Sequence, residues 1–291
     1  MAENTPTLHS RIQDARHRIE RAGIEASEAA LDAQVLARHA LGGWERGRLI
    51  AAMRDAVPAG FDEAFDPLVR RREAREPAAY ITGHREFWNI EIEVAPGVLV
   101  PRPETEFIVE DVIGRVPDGP GLLRIADVGT GSGCLAVALA RWLPTAHVTA
   151  IDVSPIALAV AARNVTAHDV AARVSVARGD LLGTHAGPFD VIVSNPPYVP
   201  SAHIPTLQRE VRDFEPAGAL DGGPDGLDII RRLVPEAASR LAERGWLVFE
   251  FGFGQADGIR AIIAAEPRLA LVTIRNDLAG IPRVAVARRN P

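Results

Sequence analysis

The stretch "SNPPYVP", residues 194–200, sets an amide side chain, two prolines and a phenol ring in one row after the apolar run "DVIV". Proline has no N–H and a fixed φ, so its carbonyl is an acceptor held rigidly in place. Such a row suits a planar amide or aromatic amine. The nitrogen of that group is a poor nucleophile because its lone pair is delocalised, and a site that activates it must accept its two N–H hydrogens and isolate it from water. Asn195 Oδ1 can accept one hydrogen and the Pro196 carbonyl the other. Pro197 stiffens the turn, and the Tyr198 ring can stack on the planar group. No strong general base is required if the proton leaves after the new bond to nitrogen has formed. Taken alone, the stretch could also be a stiff loop leaving a sheet.

A second set of residues supplies a partner for that chemistry. In "ADVGTGSGCLAVALA", Gly129, Gly131 and Gly133, interleaved with Thr130 and Ser132, lie between an apolar strand and a helix. Glycines admit positive φ and close approach of backbone to a ligand, and the start of the helix behind them offers N–H groups. The third glycine comes one residue too early for the dinucleotide fingerprint G-x-G-x-x-G, and the GK[ST] ending of a P-loop is missing. Three acids, Asp127, Asp152 and Asp180, close three successive apolar runs. Each alone could cap a helix, but together they describe a cofactor cleft.

The elements that must position these residues are legible from periodicity. From Leu122 onward, LLRIADVG, HVTAIDV, VSVARGD, DVIVSNPPY and GWLVFEFGF read as buried parallel strands, with LALVTIRN and RVAVARR closing the chain. Helices are expected at CLAVALARWL, PIALAVAARNV, residues 226–244 and QADGIRAIIAAE. The fold class is therefore α/β, a seven-stranded doubly wound sheet of Rossmann-like type, whose ligands belong at the carboxyl ends of the strands.

Before the sheet, residues 1–85 read as a small helical domain. Leu8, Ile12, Ala15 and Ile19 form one apolar stripe, Leu31, Val35, Leu36 and Ala40 a second, and Phe65, Leu68 and Val69 a third. In "FWNIEIEV" the apolar residues alternate as in a half-exposed strand, and "APG" is the expected turn of a hairpin linker spanning 86–100. Residues 101–291 make up the large domain.

Composition narrows the function. All 32 basic residues are arginine, which excludes catalytic-lysine and P-loop lysine chemistry. The single cysteine, Cys134, excludes an internal disulfide framework or a cysteine zinc site and is expected as a small core residue. No metal site is expected. A net charge of −6 argues against clamping a long duplex. The helical segment is neutral, with 13 arginines and 13 acids, and could offer a docking face to a protein. "RRREAR", residues 70–75, reads as a solvated helix end in preference to a phosphate patch. With no apolar run of about 18 residues and no apolar leader, a soluble cytoplasmic protein is expected, and with no large apolar surface evident, a monomer.

G-x-G-x-G after an acid resembles the motif of class I S-adenosylmethionine (SAM) methyltransferases. On that resemblance Gly129, Thr130, Gly131, Ser132 and Gly133 would hold the cofactor, Asp152 would take the ribose hydroxyls, and Asp180 would meet the adenine amino group beside Leu181. Asn195 would lie next to the methyl donor. NPPY resembles the (D/N/S)-PP-(Y/F/W) signature of amino methyltransferases acting on adenine in DNA or glutamine in proteins.

"EPAAYITGHREFW", "VLVPRPETE", "DVGTGSG", "SNPPY", "FEPAGALDGGPDGLDIIRRL" and "DLAGIPRVAVA" resemble, in that order, the HemK/PrmC-type release-factor glutamine methyltransferases. The resemblance implies methyl transfer from SAM, leaving S-adenosylhomocysteine, to N5 of the glutamine in the Gly-Gly-Gln motif of class I release factors. It further implies that residues 195–198 hold that glutamine and that PRPETE, 101–106, lines the cleft. Glu250, Gly252 and Gln255 fit the family's E-x-G-x-x-Q, with Phe251 and Phe253 as departures. The alternatives are a glutamine methyltransferase acting on a ribosomal protein, an N6-adenine DNA methyltransferase, or a non-catalytic SAM-binding scaffold. A basic recognition region is missing, and sequence-specific nucleic-acid binding is not expected.

Overall fold

The structure, a computed structural model, describes residues 6–116 and 121–291; the first five residues of the expected helical segment lie outside them. The chain divides into two compact units, residues 1–83 with 209–214, and residues 84–208 with 215–291.

The first unit is helical: α1 (Leu8–Arg21), α2 (Ala26–Ala40), α3 (Arg46–Ala51), α4 (Phe61–Glu73) and α5 (Ala78–Thr82). Thr7 and Ser10 cap α1 reciprocally, each side chain taking the other's N–H. The expected stripe of Leu8, Ile12, Ala15 and Ile19 is buried. On α2 the buried face is rotated from the expected one. Ala29, Ala33, Leu36 and Ala37 face the core, while Leu31 is exposed. That face is built largely of small alanines, which apolar bulk alone did not reveal. Phe61 stacks on Phe65 at 4.8 Å to close the unit from α4.

The basic run 70–75 is not a solvated helix end. Arg70 is exposed, but Arg72 is 1% exposed, with Nε donating to Asp32 Oδ2 (2.6 Å) and Nη2 to Glu28 Oε1 (2.8 Å). Arg72 and Arg75 also pair with Glu210, 138 and 135 residues further along the chain. Those partners are too distant in sequence for the run to disclose them.

The second unit opens with an antiparallel hairpin, β1 (His84–Phe87) and β2 (Ile90–Glu93). Its turn falls at Trp88–Asn89, not at the expected APG. Both turn residues adopt left-handed φ, 50° and 56°, the geometry of a two-residue hairpin turn, and an aromatic residue there concealed the signal. Then follow α6 (Glu106–Arg115), β3 (Leu123–Val128), α7 (Cys134–Trp142), β4 (Ala146–Asp152), α8 (Pro155–Ala167), β5 (Val174–Arg178) and β6 (Phe189–Ser194). After α9 (Arg209–Phe214), which belongs to the first unit, come α10 (Asp228–Arg240), β7 (Leu241–Glu250), α11 (Ala256–Ala264), β8 (Leu269–Asn276) and β9 (Pro282–Arg289).

Seven strands form one sheet in the order β5-β4-β3-β6-β7-β9-β8. The five from β5 to β7 run parallel and β9 is antiparallel to both its neighbours, so the doubly wound sheet is as expected. The α10 helix ends at Arg240, four residues before the expected limit, and the chain passes directly into β7. Among the described residues no helix is long and apolar enough to cross a membrane.

Candidate functional site

Adjacent parallel strands bring the two motifs together. Val128 at the end of β3 stands opposite Ser194 at the end of β6, and Ser194 Oγ donates to the Val128 carbonyl at 2.7 Å. Residues 129–133 and 195–198 therefore leave the sheet side by side. On the other flank Asp152 ends β4, its Oδ2 accepting the Gly131 N–H at 2.9 Å and its Oδ1 the Ser154 N–H at 2.8 Å.

The loops border a cavity of about 400 Å³. Gly129, Thr130, Gly131, Ser132, Asp152, Asp180, Asn195, Pro196 and Pro197 all line it, as do Leu181 and, from PRPETE, Pro101 and Thr105. Two expected site residues do not. Gly133 lies behind the loop at φ 79°, where an added Cβ would come within 3.1 Å of the Ala161 Cβ, so its hydrogen serves helix packing. Tyr198 is turned aside and held by its hydroxyl and its carbonyl.

The donor set fits a nucleoside cofactor carrying a cationic end. Two carboxylates, Asp152 and Asp180, stand at the ends of adjacent strands beside the apolar Leu181. Asp180 also pairs with Arg232 at 2.7 Å on its exposed side. Beneath the loop, Asp127 is wholly buried. Its Oδ2 accepts from Thr130 Oγ1 (2.6 Å) and the Ala136 N–H (3.1 Å), while Oδ1 has no hydrogen-bond partner among the described residues. Burial drives its carboxyl up to about 7 against those two donors. A nearby cation would favour the charged form. Cys134 is buried as expected, and burial pushes its thiol up to about 12, so it is no nucleophile.

Around NPPY the polar contacts converge on one residue. Asn195 Nδ2 donates to Thr105 Oγ1 at 3.0 Å, and Thr105 Oγ1 donates to Glu250 Oε2 at 2.6 Å. Tyr198 OH donates to the other oxygen, Glu250 Oε1, at 2.8 Å. Glu250 ends β7, next to β6, and is buried. Burial raises its carboxyl, while the Thr105 and Tyr198 hydroxyls oppose the shift. Burial and then the neighbouring Glu250 charge raise the Tyr198 phenol well above its ordinary value. Gln255 Nε2 holds the Tyr198 carbonyl at 2.9 Å, and its Oε1 accepts the Gly252 N–H at 2.7 Å. An added Cβ at Gly252 would stand 3.0 Å from Tyr198 Cδ2. The Glu-x-Gly-x-x-Gln residues thus all serve the NPPY turn. Phe251 beside them is buried, whereas Phe253 is largely exposed.

Sequence reading missed the tie between Thr105 and Asn195, which are 90 residues apart. Glu250 carried a usable signal, being a fourth acid at a strand end. It missed Asn164 as well, whose side chain takes the Glu93 N–H at 2.8 Å and donates to the Glu93 and Ser132 carbonyls at 2.9 and 2.8 Å. That amide fastens the hairpin to the glycine loop.

The doubly wound sheet, with a glycine loop and an NPPY turn on adjacent strand ends, defines a methyltransferase of the class I type. Residues 116–210 match the family described as methyltransferase small domain, and residues 11–83 the PrmC N-terminal domain. The chain is 42% identical over 289 residues to the release factor glutamine methyltransferase of Rhodospirillum rubrum, covering 99% of this chain and 87% of the relative. It is 41% identical to that of Bradyrhizobium diazoefficiens (98% and 93% covered) and 40% identical to that of Moorella thermoacetica (97% and 99% covered). The chain belongs to the family of release factor glutamine methyltransferases.

Solved structures share the fold. The catalytic domain of hMettl16, in complex with a MAT2A 3'UTR hairpin, aligns with a TM-score of 0.56 at 20% identity, covering 75% of this chain and 81% of that one. A methyltransferase from Pyrococcus furiosus aligns with a TM-score of 0.52 at 18% identity, covering 70% and 91%.

Proposed function

We propose that this protein methylates the N5 side-chain nitrogen of the glutamine in the Gly-Gly-Gln motif of class I peptide chain release factors, using SAM. When bound, SAM supplies an electrophilic methyl group on a sulfonium. Gly129, Thr130, Gly131 and Ser132 would cradle it from the backbone, Asp152 would accept from its ribose hydroxyls, and Asp180 would meet the adenine edge beside Leu181.

The observation that carries this reading is the state of two acceptors. Asn195 Oδ1 receives no hydrogen bond from the described residues, and neither does the Pro196 carbonyl, and both residues line the cavity with the glycine loop. They would accept the two N–H hydrogens of the glutamine amide, turning its nitrogen lone pair toward the methyl group. Pro197 keeps the turn rigid, and Tyr198, which does not line the cavity, braces the turn through its hydroxyl on Glu250 and its carbonyl on Gln255. After methylation the nitrogen, now cationic and strongly acidic, loses one proton to water or another weak acceptor, so the site needs no strong base.

The relatives' names support the release factor as substrate, and the neutral helical segment, 1–85, is assigned to docking it, with 86–100 as linker. Incubating purified release factor with the protein and SAM, followed by mass spectrometry of the Gly-Gly-Gln peptide, tests the reading. One added methyl on glutamine is expected. A methyl on a ribosomal protein or on duplex DNA instead would overturn it.

A further inference from the structure

We infer that Glu250 is a positioning residue that, through Thr105, fixes which end of the Asn195 amide faces the substrate. The inference rests on the proposed methylation of a glutamine amide and deepens it.

The geometry carries the argument. While Glu250 is ionised, the state that the Thr105 and Tyr198 hydroxyls favour against burial, its two oxygens can only accept hydrogen bonds, and a threonine hydroxyl has one proton to give. Thr105 Oγ1 stands 2.6 Å from Glu250 Oε2, so its proton is committed there. What Thr105 presents to Asn195 is then a lone pair, and the Asn195 atom 3.0 Å away must be the NH₂ group. The amide is thereby locked with Oδ1 left for the cavity. In the opposite orientation the NH₂ group would face the substrate nitrogen, donor against donor, and could accept neither N–H hydrogen. Asn and Gln amides are otherwise free to turn over, since their two ends are nearly equal in shape. An Asn-Pro-Pro-Tyr turn therefore needs an outside reference to choose an end, and Glu250 supplies one.

The same carboxylate serves the other side chain of the turn. Tyr198 OH donates to Glu250 Oε1 at 2.8 Å. One buried acid at the end of β7 thus sets the polarity of Asn195 and the place of the Tyr198 ring. Thr105 is both a link of the relay and a lining residue of the cavity.

Replacing Glu250 by glutamine would reverse the relay without changing its shape. The new Nε2 can donate to Thr105 Oγ1, which frees the hydroxyl proton for Asn195 and turns its Oδ1 inward. Thr105→Val removes the hydroxyl at constant shape. Thr105→Ser keeps it.

The test is steady-state kinetics of methyl transfer to purified release factor by the full chain, together with calorimetric SAM affinity and thermal melting. Thr105→Val and Glu250→Gln should each lower kcat by about a hundredfold, the scale of a lost positioning contact. KM for the release factor and the affinity for SAM should stay within about twofold of wild type. Thr105→Ser should recover most of the turnover, a rescue that loss of packing would not give. If Glu250→Gln fails to fold, the near-isosteric Thr105→Val carries the test alone. Turnover near wild type in Thr105→Val, or failure of Thr105→Ser to recover it, overturns the relay. A wild-type protein that puts no methyl on any glutamine would overturn the proposed function instead.

Discussion

Asp152 Oδ2 accepts the N–H of Gly131 at 2.9 Å, so the acid that ends β4 also fixes the turn that follows β3. One carboxylate thereby shapes the glycine loop and faces the cavity. Asp152→Ala should weaken SAM binding at least tenfold, since hydrogen bonds to a charged group are worth about 1.5–3 kcal/mol each. Calorimetric titration measures this directly. An affinity equal to wild type would remove Asp152 from the cofactor site.

Asn195→Ala separates binding from chemistry. The glycine loop and Asp152 keep their contacts in this variant, because among the described residues the Asn195 side chain donates only to Thr105. SAM affinity should stay within about twofold while methyl transfer falls by about a hundredfold or more, as expected for an interaction made chiefly in the transition state. Single-turnover assays with release factor decide it, and near-normal turnover would sink the amide-acceptor role.

What the sequence disclosed follows from the range of the interactions involved. The strands, the glycine loop and NPPY are local patterns of period and turn chemistry, so the seven strands of residues 122–291 and the loops at their ends were readable, though not the order of the strands in the sheet. Thr105, Glu250 and Asn164 work through partners far along the chain, at separations of 145 residues for Thr105–Glu250 and 71 for Asn164–Glu93, and no local pattern records such a pairing. The rotated face of α2 escaped for a different reason. Alanine is nearly silent on an apolar scale, yet Ala29, Ala33 and Ala37 are fully buried and Leu31 is not.

Asp127 makes the cofactor-free protein sensitive to pH. Burial raises its carboxyl from 3.8 to about 7, so the folded state favours the protonated form more than the unfolded chain does. The stability it contributes is complete below about pH 4 and is lost as pH rises through about 7. Asp127→Asn keeps an acceptor for Thr130 and Ala136 but cannot ionise. Its melting temperature relative to wild type should therefore climb between pH 4.5 and 8, by an amount equivalent to roughly 2–4 kcal/mol. A difference that does not vary with pH would show that Asp127 does not titrate in this range.

Glu210 supplies the sharpest test of how the first unit is held. After residue 83 the chain returns to that unit for only six residues, α9, and Glu210 on it receives Arg75 Nε at 3.1 Å and Arg72 Nη2 at 3.3 Å. All three side chains are buried. Burial alone would raise the Glu210 carboxyl, but the backbone N–H and the two guanidinium groups outweigh it and hold it below the ordinary value. Its contribution is therefore present above the unfolded pKa and is lost as pH falls through the folded one. Glu210→Ala leaves two buried cations short of a partner, and such a truncation costs about 3–5 kcal/mol. Arg72 retains Asp32 and Glu28, and Arg75 retains the Ala22 carbonyl at 3.2 Å, so the lower end is expected. Asp62→Ala breaks a half-exposed pair with Arg11 and should cost less than about 1 kcal/mol. Denaturant titration of both variants, with hydrogen exchange of residues 209–214, checks the contrast. The Glu210 deficit should persist at high salt, because buried charges are poorly screened, whereas the Asp62 deficit should vanish. Equal deficits for the two variants would mean that Glu210 is no better shielded from water than a surface acid.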